Sequence, residues 1–145
     1  MIDLGRSIDA NDYIIANIEL LGYYRVNYDT QNWKNIIKQL KTDKNKISLG
    51  MRAQLINDIF SLSQATLVRS DLPLEMIDYL SNELEFLPWS VFLNRIRFYL
   101  DMLSSSQMVM DLKKYLASTV SPFYKKLGWF EDINNDQWLD KYKMS

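Results

Sequence analysis

A chain of 145 residues with 17 basic and 18 acidic side chains has the length of one domain and a net charge of −1. Hydrophobic residues make up 48% of it, which is a globular composition and excludes a mainly disordered chain. The balanced charge argues against a nucleic-acid partner, because binding to phosphates needs a basic surface. No apolar run reaches the roughly 18 residues of a membrane helix, so no membrane segment is expected.

The sequence contains no cysteine and no histidine. It therefore offers no thiolate or imidazole ligand for zinc and no serine–histidine or cysteine–histidine nucleophile. Carboxylates alone rarely form a zinc site in proteins. The sequence predicts that this chain alone has no catalytic residue, no metal ligand and no cofactor, and that it is not an enzyme by itself.

The first 29 residues carry a β-strand pattern. Residues 13–18 are apolar and rich in strand formers, and residues 23–28 alternate so that Tyr24, Val26 and Tyr28 share one face. The short connection that contains Gly22 predicts a β-hairpin. Two isolated strands are marginal in water, so we expect this hairpin to pack on helices or to belong to a larger sheet.

From Asp29 onward, apolar residues recur every three or four positions, as in amphipathic helices. Asp29 or Thr30 is expected to cap the first helix, Pro73 to lie in the first turn of the third, and Pro122 to kink or split the fifth. Residues 41–46 are expected to form a solvated loop. About six helices are predicted, over residues 29–40, 49–66, 71–84, 88–103, 106–127 and from about residue 136. Short connections favour antiparallel pairs, so the predicted fold is mainly α, with an N-terminal β-hairpin followed by a HEAT-like α-α solenoid.

Few polar side chains accompany the apolar stripes. Gln54 and Asp58 are four residues apart and can bond along one helix, and Arg52 could reach a carboxylate on a neighbouring helix. Inter-helix hydrogen bonds that fix packing explain these residues better than catalysis does. Glu83 and Glu85 precede the turn at Pro88 and are expected to be solvated.

The aromatic side chains allow two interpretations. Tyrosines 23, 24 and 28 and four tryptophans could form a ligand platform. Packing explains most of them better, because Trp33 and Trp89 each open an apolar helical stripe. We therefore expect both tryptophans to be buried.

Four short motifs resemble one family in order and in spacing. They are the string from Gly22 to Asp29 followed by Asn32-Trp33, the segment Arg52-Ala53-Gln54-Leu55-Ile56-Asn57-Asp58, the turn Leu87-Pro88-Trp89 and the segment Leu127-Gly128-Trp129. This combination resembles zinc aminopeptidases of the aminopeptidase N type, at the junction of a β-sandwich domain and a C-terminal helical domain. The residues that carry the resemblance are Gly22, Tyr23, Tyr24, Arg25, Asn27, Tyr28, Trp33, Arg52, Asp58, Pro88, Trp89, Gly128 and Trp129.

The resemblance implies a division into residues 1–29, a remnant of the sandwich domain, and residues 30–145, the first part of the helical domain. It implies a parent enzyme that removes N-terminal residues from peptides with one zinc ion, bound upstream of this region. The helical domain would enclose the active-site chamber, and its partners would be the other domains of the parent and the peptide substrate. Members of the family occur as cell-surface ectodomains and in the cytosol.

By this resemblance the chain is expected to be a fragment of such an enzyme, with an exposed helical face that favours self-association. No substrate-binding residue can be assigned within it. The alternative is a stand-alone helical-repeat adaptor that binds a protein partner. An upstream zinc motif in the same polypeptide would exclude the adaptor.

Overall fold

A computed structural model describes residue 9, residues 11–104 and residues 106–127, and only the backbone after residue 121. This part of the chain forms five α-helices: α1 (Thr30–Asp43), α2 (Leu49–Gln64), α3 (Asp71–Leu80), α4 (Phe86–Met102) and α5 (Met108–Leu127). Two 3-10 turns, Ile18–Leu20 and Lys44–Lys46, lie before α1 and between α1 and α2. The predicted mainly α class is confirmed.

Capping and proline placement explain where two of the helices begin. The Asp29 side chain accepts a hydrogen bond from the backbone N–H of Asn32 at 2.8 Å, which satisfies one of the free donors at the start of α1. Pro73 is the third residue of α3, within the first turn, where a missing N–H costs no helical bond. Both features agree with the predictions from the sequence.

One apolar core joins the first four helices. Its members with no exposed surface include Trp33 and Ile36 of α1, Ile59 of α2 and Ile77 of α3. Helix α4 adds Trp89 and Phe92, and their rings meet edge to face at 5.9 Å. The contacts pair α2 with α4, α1 with α3 and α3 with α5, so alternate helices pack side by side, and α2 also packs against α3.

The predicted N-terminal hairpin is not formed. The described residues between 11 and 29 contain no strand, and residues 18–20 make a 3-10 turn instead. Side chains supply the partners that a second strand would provide: the amide of Asn32 accepts from the N–H of Ile14 at 2.8 Å and donates to its carbonyl at 2.9 Å. Asn17 and Leu20 have left-handed backbone angles, with φ of 56° and 59°. These angles interrupt the extended backbone that two paired β-strands would need on either side of the turn.

Two helix ends differ from the expectations by three or four residues, and α5 is not split at Pro122. Helix α1 continues through residues 41–43, which were predicted as loop, because lysine is a good helix former and Lys41 pairs with Asp78 of α3 at 3.0 Å. Helix α3 ends at Leu80 rather than near residue 84, because the chain turns there and carries Glu83 inward. Helix α5 continues past Pro122 to Leu127 without a break. The predicted sixth helix lies outside the described residues.

Candidate functional site

The most concentrated polar cluster in the described chain surrounds Glu83, in the loop between α3 and α4. The residue has 0% exposed surface. One carboxylate oxygen accepts from Arg52 Nε at 2.8 Å and from the Tyr79 hydroxyl, and the other accepts from Lys44 Nζ at 2.9 Å. The N–H groups of Leu84 and Glu85 donate to this second oxygen at 2.9 and 3.1 Å. We call Glu83, Arg52, Lys44 and Tyr79 the Glu83 cluster.

The Glu83 cluster joins four parts of the fold. Arg52 belongs to α2, Tyr79 to α3 and Lys44 to the turn after α1. Arg52 is itself buried and donates from a second nitrogen to the carbonyl of Ile47 at 2.8 Å. A buried charge is stable only when it is paired and hydrogen-bonded, and the cluster meets both conditions.

The electrostatics of the cluster keep the carboxylate charged. Burial raises the pKa of Glu83, but hydrogen bonds from Tyr79, Lys44 and the Glu85 N–H, together with the charge of Arg52, outweigh it, so that pKa lies below its usual value. Burial and the neighbouring carboxylate raise the pKa of the Tyr79 hydroxyl. The tyrosine therefore acts as a fixed donor, and no proton is poised to move at neutral pH.

The Leu87-Pro88-Trp89 motif is fixed to the same loop. Trp89 Nε1 donates to the carbonyl of Glu83 at 3.0 Å, and the indole is 3% exposed. Pro88 is the third residue of α4, where a proline costs no helical hydrogen bond. Trp89 therefore packs in the core and also holds the backbone of the buried acid.

A second cluster fastens the N-terminal segment to α2. Arg25 donates to the carboxylate of Asp58 at 2.9 Å, and Gln54 donates to the same oxygen at 2.8 Å. The Asp58 side chain is 5% exposed and that of Arg25 is 41% exposed. At the adjacent position in α2, Asn57 accepts a hydrogen bond from Arg95 of α4 at 2.7 Å through its side chain. The expected Gln54–Asp58 bond is thus present, and Asp58 has an arginine partner as well.

Asn27, Tyr28 and Trp33 form a third contact between the N-terminal segment and the helices. Trp33 Nε1 donates to the side-chain oxygen of Asn27 at 3.2 Å, and Asn27 donates in turn to the carbonyl of Leu67 at 3.3 Å. The rings of Tyr28 and Trp33 meet edge to face at 5.0 Å. The Tyr28 hydroxyl accepts from the N–H of Ala16 at 3.0 Å. Trp33 is fully buried, so it packs and does not present a ligand platform.

The remaining motif residues have other surroundings. Tyr23 and Tyr24 are exposed, at 110% and 60%. Gly22 allows a close approach, because a Cβ atom there would lie 2.1 Å from the ring of Tyr24. The amide of Asn17 accepts from the Gly22 N–H at 2.7 Å and donates to its carbonyl at 2.9 Å, which orders this turn. Gly128 and Trp129 lie outside the described residues.

The described residues were also compared with the requirements of a metal site. They contain no group of three histidine, cysteine, aspartate or glutamate side chains that could hold a metal ion. A zinc site therefore does not fit this part of the chain. An open cleft of about 420 Å³ near the start of α1 is lined by Asp12, Asp29 and several amide side chains, but Asn35 and Asn32 there bond to protein groups.

The burial of Glu83 was not predicted from the sequence, whereas a carboxylate partner for Arg52 was. Arg52 was expected to reach a carboxylate on a neighbouring helix; it does pair with a carboxylate, but that of Glu83 lies in the loop between α3 and α4. Glu83 was expected in solvent, and that prediction is wrong, because the loop after α3 turns the side chain toward two cations. One signal was present in the sequence: Tyr79 lies four residues before Glu83, a spacing that lets a hydroxyl reach a carboxylate.

Comparison with known proteins identifies the family. The family model described as the ERAP1-like C-terminal domain matches residues 13–143. The chain therefore belongs to this domain family. Among the described residues, no helix combines the length and the apolar character needed to cross a membrane.

Similar proteins are much longer than this chain. It is 36% identical over 132 residues to aminopeptidase N of Rattus norvegicus, a match that covers 91% of the chain and 13% of that protein. It is 40% identical over 123 residues to the thyrotropin-releasing hormone-degrading ectoenzyme of the same species, covering 84% and 11%. Aminopeptidase N of Homo sapiens is 36% identical over 118 residues, covering 81% and 12%. The chain thus spans about an eighth of the length of these relatives.

Proposed function

We propose that this chain is a non-catalytic part of the C-terminal helical domain of a zinc aminopeptidase, which removes N-terminal residues from peptides. One observation carries the proposal: aminopeptidase N of Rattus norvegicus is 36% identical to this chain over 132 residues, which are 91% of its length. Another relative is named as an ectoenzyme that degrades a peptide hormone. A peptide substrate and a cell-surface location of the parent protein follow from these names.

The assignment of zinc binding to residues outside this chain rests on the residue types that the chain contains. Zinc hydrolysis needs nitrogen, sulfur or carboxylate ligands around an open coordination position, and this chain has neither histidine nor cysteine. The described residues also lack an acidic cluster that could replace them. The zinc ion of the proposed parent would therefore be bound by residues outside this chain, and the helices here would help to enclose the substrate chamber.

The proposed domain boundary falls near residue 29. Residues 1–29 would be the end of a preceding β-sandwich domain, and residues 30–145 the beginning of a HEAT-like helical domain. The start of α1 at Thr30 supports the proposal, because the described residues before it form no α-helix. The hydrogen bonds from Arg25 to Asp58 and from Trp33 to Asn27 then hold the two parts together. The side-by-side packing of alternate helices is compatible with a two-layered solenoid.

The test isolates the native protein with an antibody raised against this chain. Its mass, its zinc content and its hydrolysis of aminoacyl p-nitroanilides are measured, with and without a zinc chelator. We expect a protein several times larger than 17.2 kDa that contains zinc and loses activity on chelation. The recombinant 145-residue chain is the control and should hydrolyse nothing.

Two results would contradict the proposal. A native species of 17.2 kDa without zinc or activity would favour the helical-repeat adaptor instead. Peptide hydrolysis by the purified chain would show that catalysis does not need the residues we place elsewhere. Self-association of the chain can be followed in the same preparation by light scattering.

A further inference from the structure

One side of α2 is a half-exposed strip. Its residues follow each other at spacings of four, three and four positions, so they lie along one face of the helix. We call them the α2 strip: Gly50, Gln54, Asn57 and Ser61. All four are half-buried, whereas most other residues of α2 are buried. A Cβ atom added at Gly50 would have no neighbour within 4 Å, so the space above this end of the strip is open.

The N-terminal segment borders the α2 strip on one side, and α4 borders it on the other. On the first side, Arg25 pairs with the carboxylate of Asp58. On the second side, the Tyr99 hydroxyl donates to the carbonyl of Phe60 at 3.1 Å, and the two rings meet edge to face. Asp58 and Phe60 are about 200° apart around the helix, since each residue turns it by about 100°. The α2 strip therefore runs between the N-terminal segment and α4.

Two arginines, one from each side, meet at Asn57 within the α2 strip. Arg25 Nη1 donates to the Asn57 carbonyl at 3.4 Å, and Arg95 Nε donates to its side-chain oxygen at 2.7 Å. Asp58 pairs with Arg25, so Arg95 is held by a neutral amide and one positive charge remains in excess. Within the described part of the chain, neither guanidinium group bonds to any further residue. Their other N–H groups are therefore available to a ligand.

We propose that Arg25 and Arg95 bind the carboxylate of an aspartate or glutamate side chain, carried by an extended peptide segment that lies along the α2 strip. A guanidinium group offers two parallel N–H donors to the two oxygens of a carboxylate, and the excess positive charge favours an anion. The chain as a whole has a net charge of −1, which disfavours a polyanion such as a nucleic acid. A single carboxylate therefore matches the site.

The position of the two arginines favours a side-chain carboxylate over the end of a chain. Asn57 lies between Gln54 and Ser61, so the α2 strip continues on both sides of the proposed carboxylate. A peptide segment can thus extend past the site in both directions, with its acidic residue in the middle. The strip is about 16 Å long at the helical rise, which is the length of about five residues of extended chain. The inference does not depend on the proposed function, since it concerns binding by this chain alone.

A nuclear magnetic resonance titration of the full 145-residue chain tests the inference, with the arginine Nε–H signals as reporters. The probe is the peptide acetyl-Ala-Ala-Glu-Ala-Ala-amide, whose single carboxylate lies in its middle. The same peptide with Gln in place of Glu is the neutral control. The titrations are made at low ionic strength, because salt screens exposed charges. We expect saturable shifts of the Arg25 and Arg95 signals with the Glu peptide, and binding of the Gln peptide that is weaker by about tenfold or more.

Variants of the chain connect the binding to the site. Arg95→Gln should weaken the binding of the Glu peptide by about tenfold. Arg97→Gln is the matched control and should change nothing, because Arg97 is exposed on the same helix but lies about 200° away from Arg95. Far-ultraviolet circular dichroism checks that both variants are folded. If Arg95→Gln does not fold, Arg25→Gln provides the same comparison with the control.

Four outcomes would overturn the inference. The first is the absence of saturable shifts at the Arg25 and Arg95 signals, and the second is equal binding of the Glu and Gln peptides. The third is an equal loss of affinity in Arg95→Gln and Arg97→Gln. The fourth is tighter binding of acetyl-Ala-Ala-Gln with a free C-terminal carboxylate, which would mean that the site takes the end of a chain.

Discussion

Replacing Arg52 by methionine should destabilise the fold strongly, although no catalytic group is lost. Arg52→Met keeps an unbranched apolar side chain as far as the position of Nε and removes the charge beside Glu83, which has no exposed surface. Removing one partner of a buried ion pair costs about 3–5 kcal/mol, because the other charge stays buried without compensation. Lys44 and Tyr79 still contact the carboxylate, which favours the lower part of this range. The lost bond to the Ile47 carbonyl adds about 1 kcal/mol.

The assay is urea unfolding of the 145-residue chain at pH 7, followed by far-ultraviolet circular dichroism. Arg69→Met is the matched control, because Arg69 also pairs with a carboxylate, that of Asp71 at 2.9 Å, but both side chains are well exposed, at 69% and 44%. We expect the control to leave the free energy of unfolding unchanged within the error of measurement.

A loss below about 1 kcal/mol for Arg52→Met would refute the reasoning, because it would mean that the carboxylate can be hydrated or protonated cheaply in the folded chain. Comparing the pH dependence of the variant with that of Glu83→Gln separates the two explanations. A strongly destabilised control would instead show that arginine removal as such lowers stability.

Three further predictions concern pH and packing. The pKa of Glu83 is lowered in the fold, so its charged form stabilises the fold fully above the unfolded pKa of about 4.3, and this stability is lost as the pH falls through the folded pKa. Glu83→Gln should remove this part of the acid dependence of the free energy of unfolding. An unchanged acid dependence in the variant would contradict the assignment. The pKa of Tyr79 is raised in the fold, so its protonated hydroxyl stabilises the fold below about pH 10, and this stability is lost as the pH rises further. In an absorbance titration, Tyr79→Phe should show one fewer tyrosine that ionises above the usual pH range than the unmodified chain does. Trp33→Ala should cost about 3–5 kcal/mol in urea unfolding, because the indole is fully buried, whereas Tyr23→Ala at an exposed position should change nothing measurable; a loss below about 0.5 kcal/mol for Trp33→Ala would reject its packing role.

The helices could be predicted because their signals are local. Apolar spacing identified α2 over residues 49–66, and the structure has Leu49–Gln64. The cap at Asp29 and the early proline of α3 are also local, since each depends on a single backbone turn. Helix ends were less accurate, because polar residues such as Lys41, Thr42 and Asp43 occur both in the last turn of a helix and in loops.

The loss of the hairpin and the burial of Glu83 could not be predicted, because the partners of these residues are distant in sequence. Ile14 bonds to Asn32, 18 residues away, and a side chain there takes the place of the expected strand. Glu83 bonds to Arg52, 31 residues away. A charged residue before a proline turn is usually solvated. The burial of Glu83 is favourable only because two cationic side chains from other elements, Arg52 and Lys44, pair with it.

The two buried charges of α2 explain how a helix with a broad apolar surface adopts one orientation. Arg52 and Asp58 are both buried, and each pairs with a charge from outside the helix, Arg52 with Glu83 and Asp58 with Arg25. A rotation or shift of α2 could keep much of its apolar contact but would separate both pairs and leave unpaired charges inside. Apolar packing therefore supplies most of the stability, and the charges select the register. Because Arg25 precedes the helices, the same selection also positions the N-terminal segment, whose turn carries the exposed Tyr23 and Tyr24.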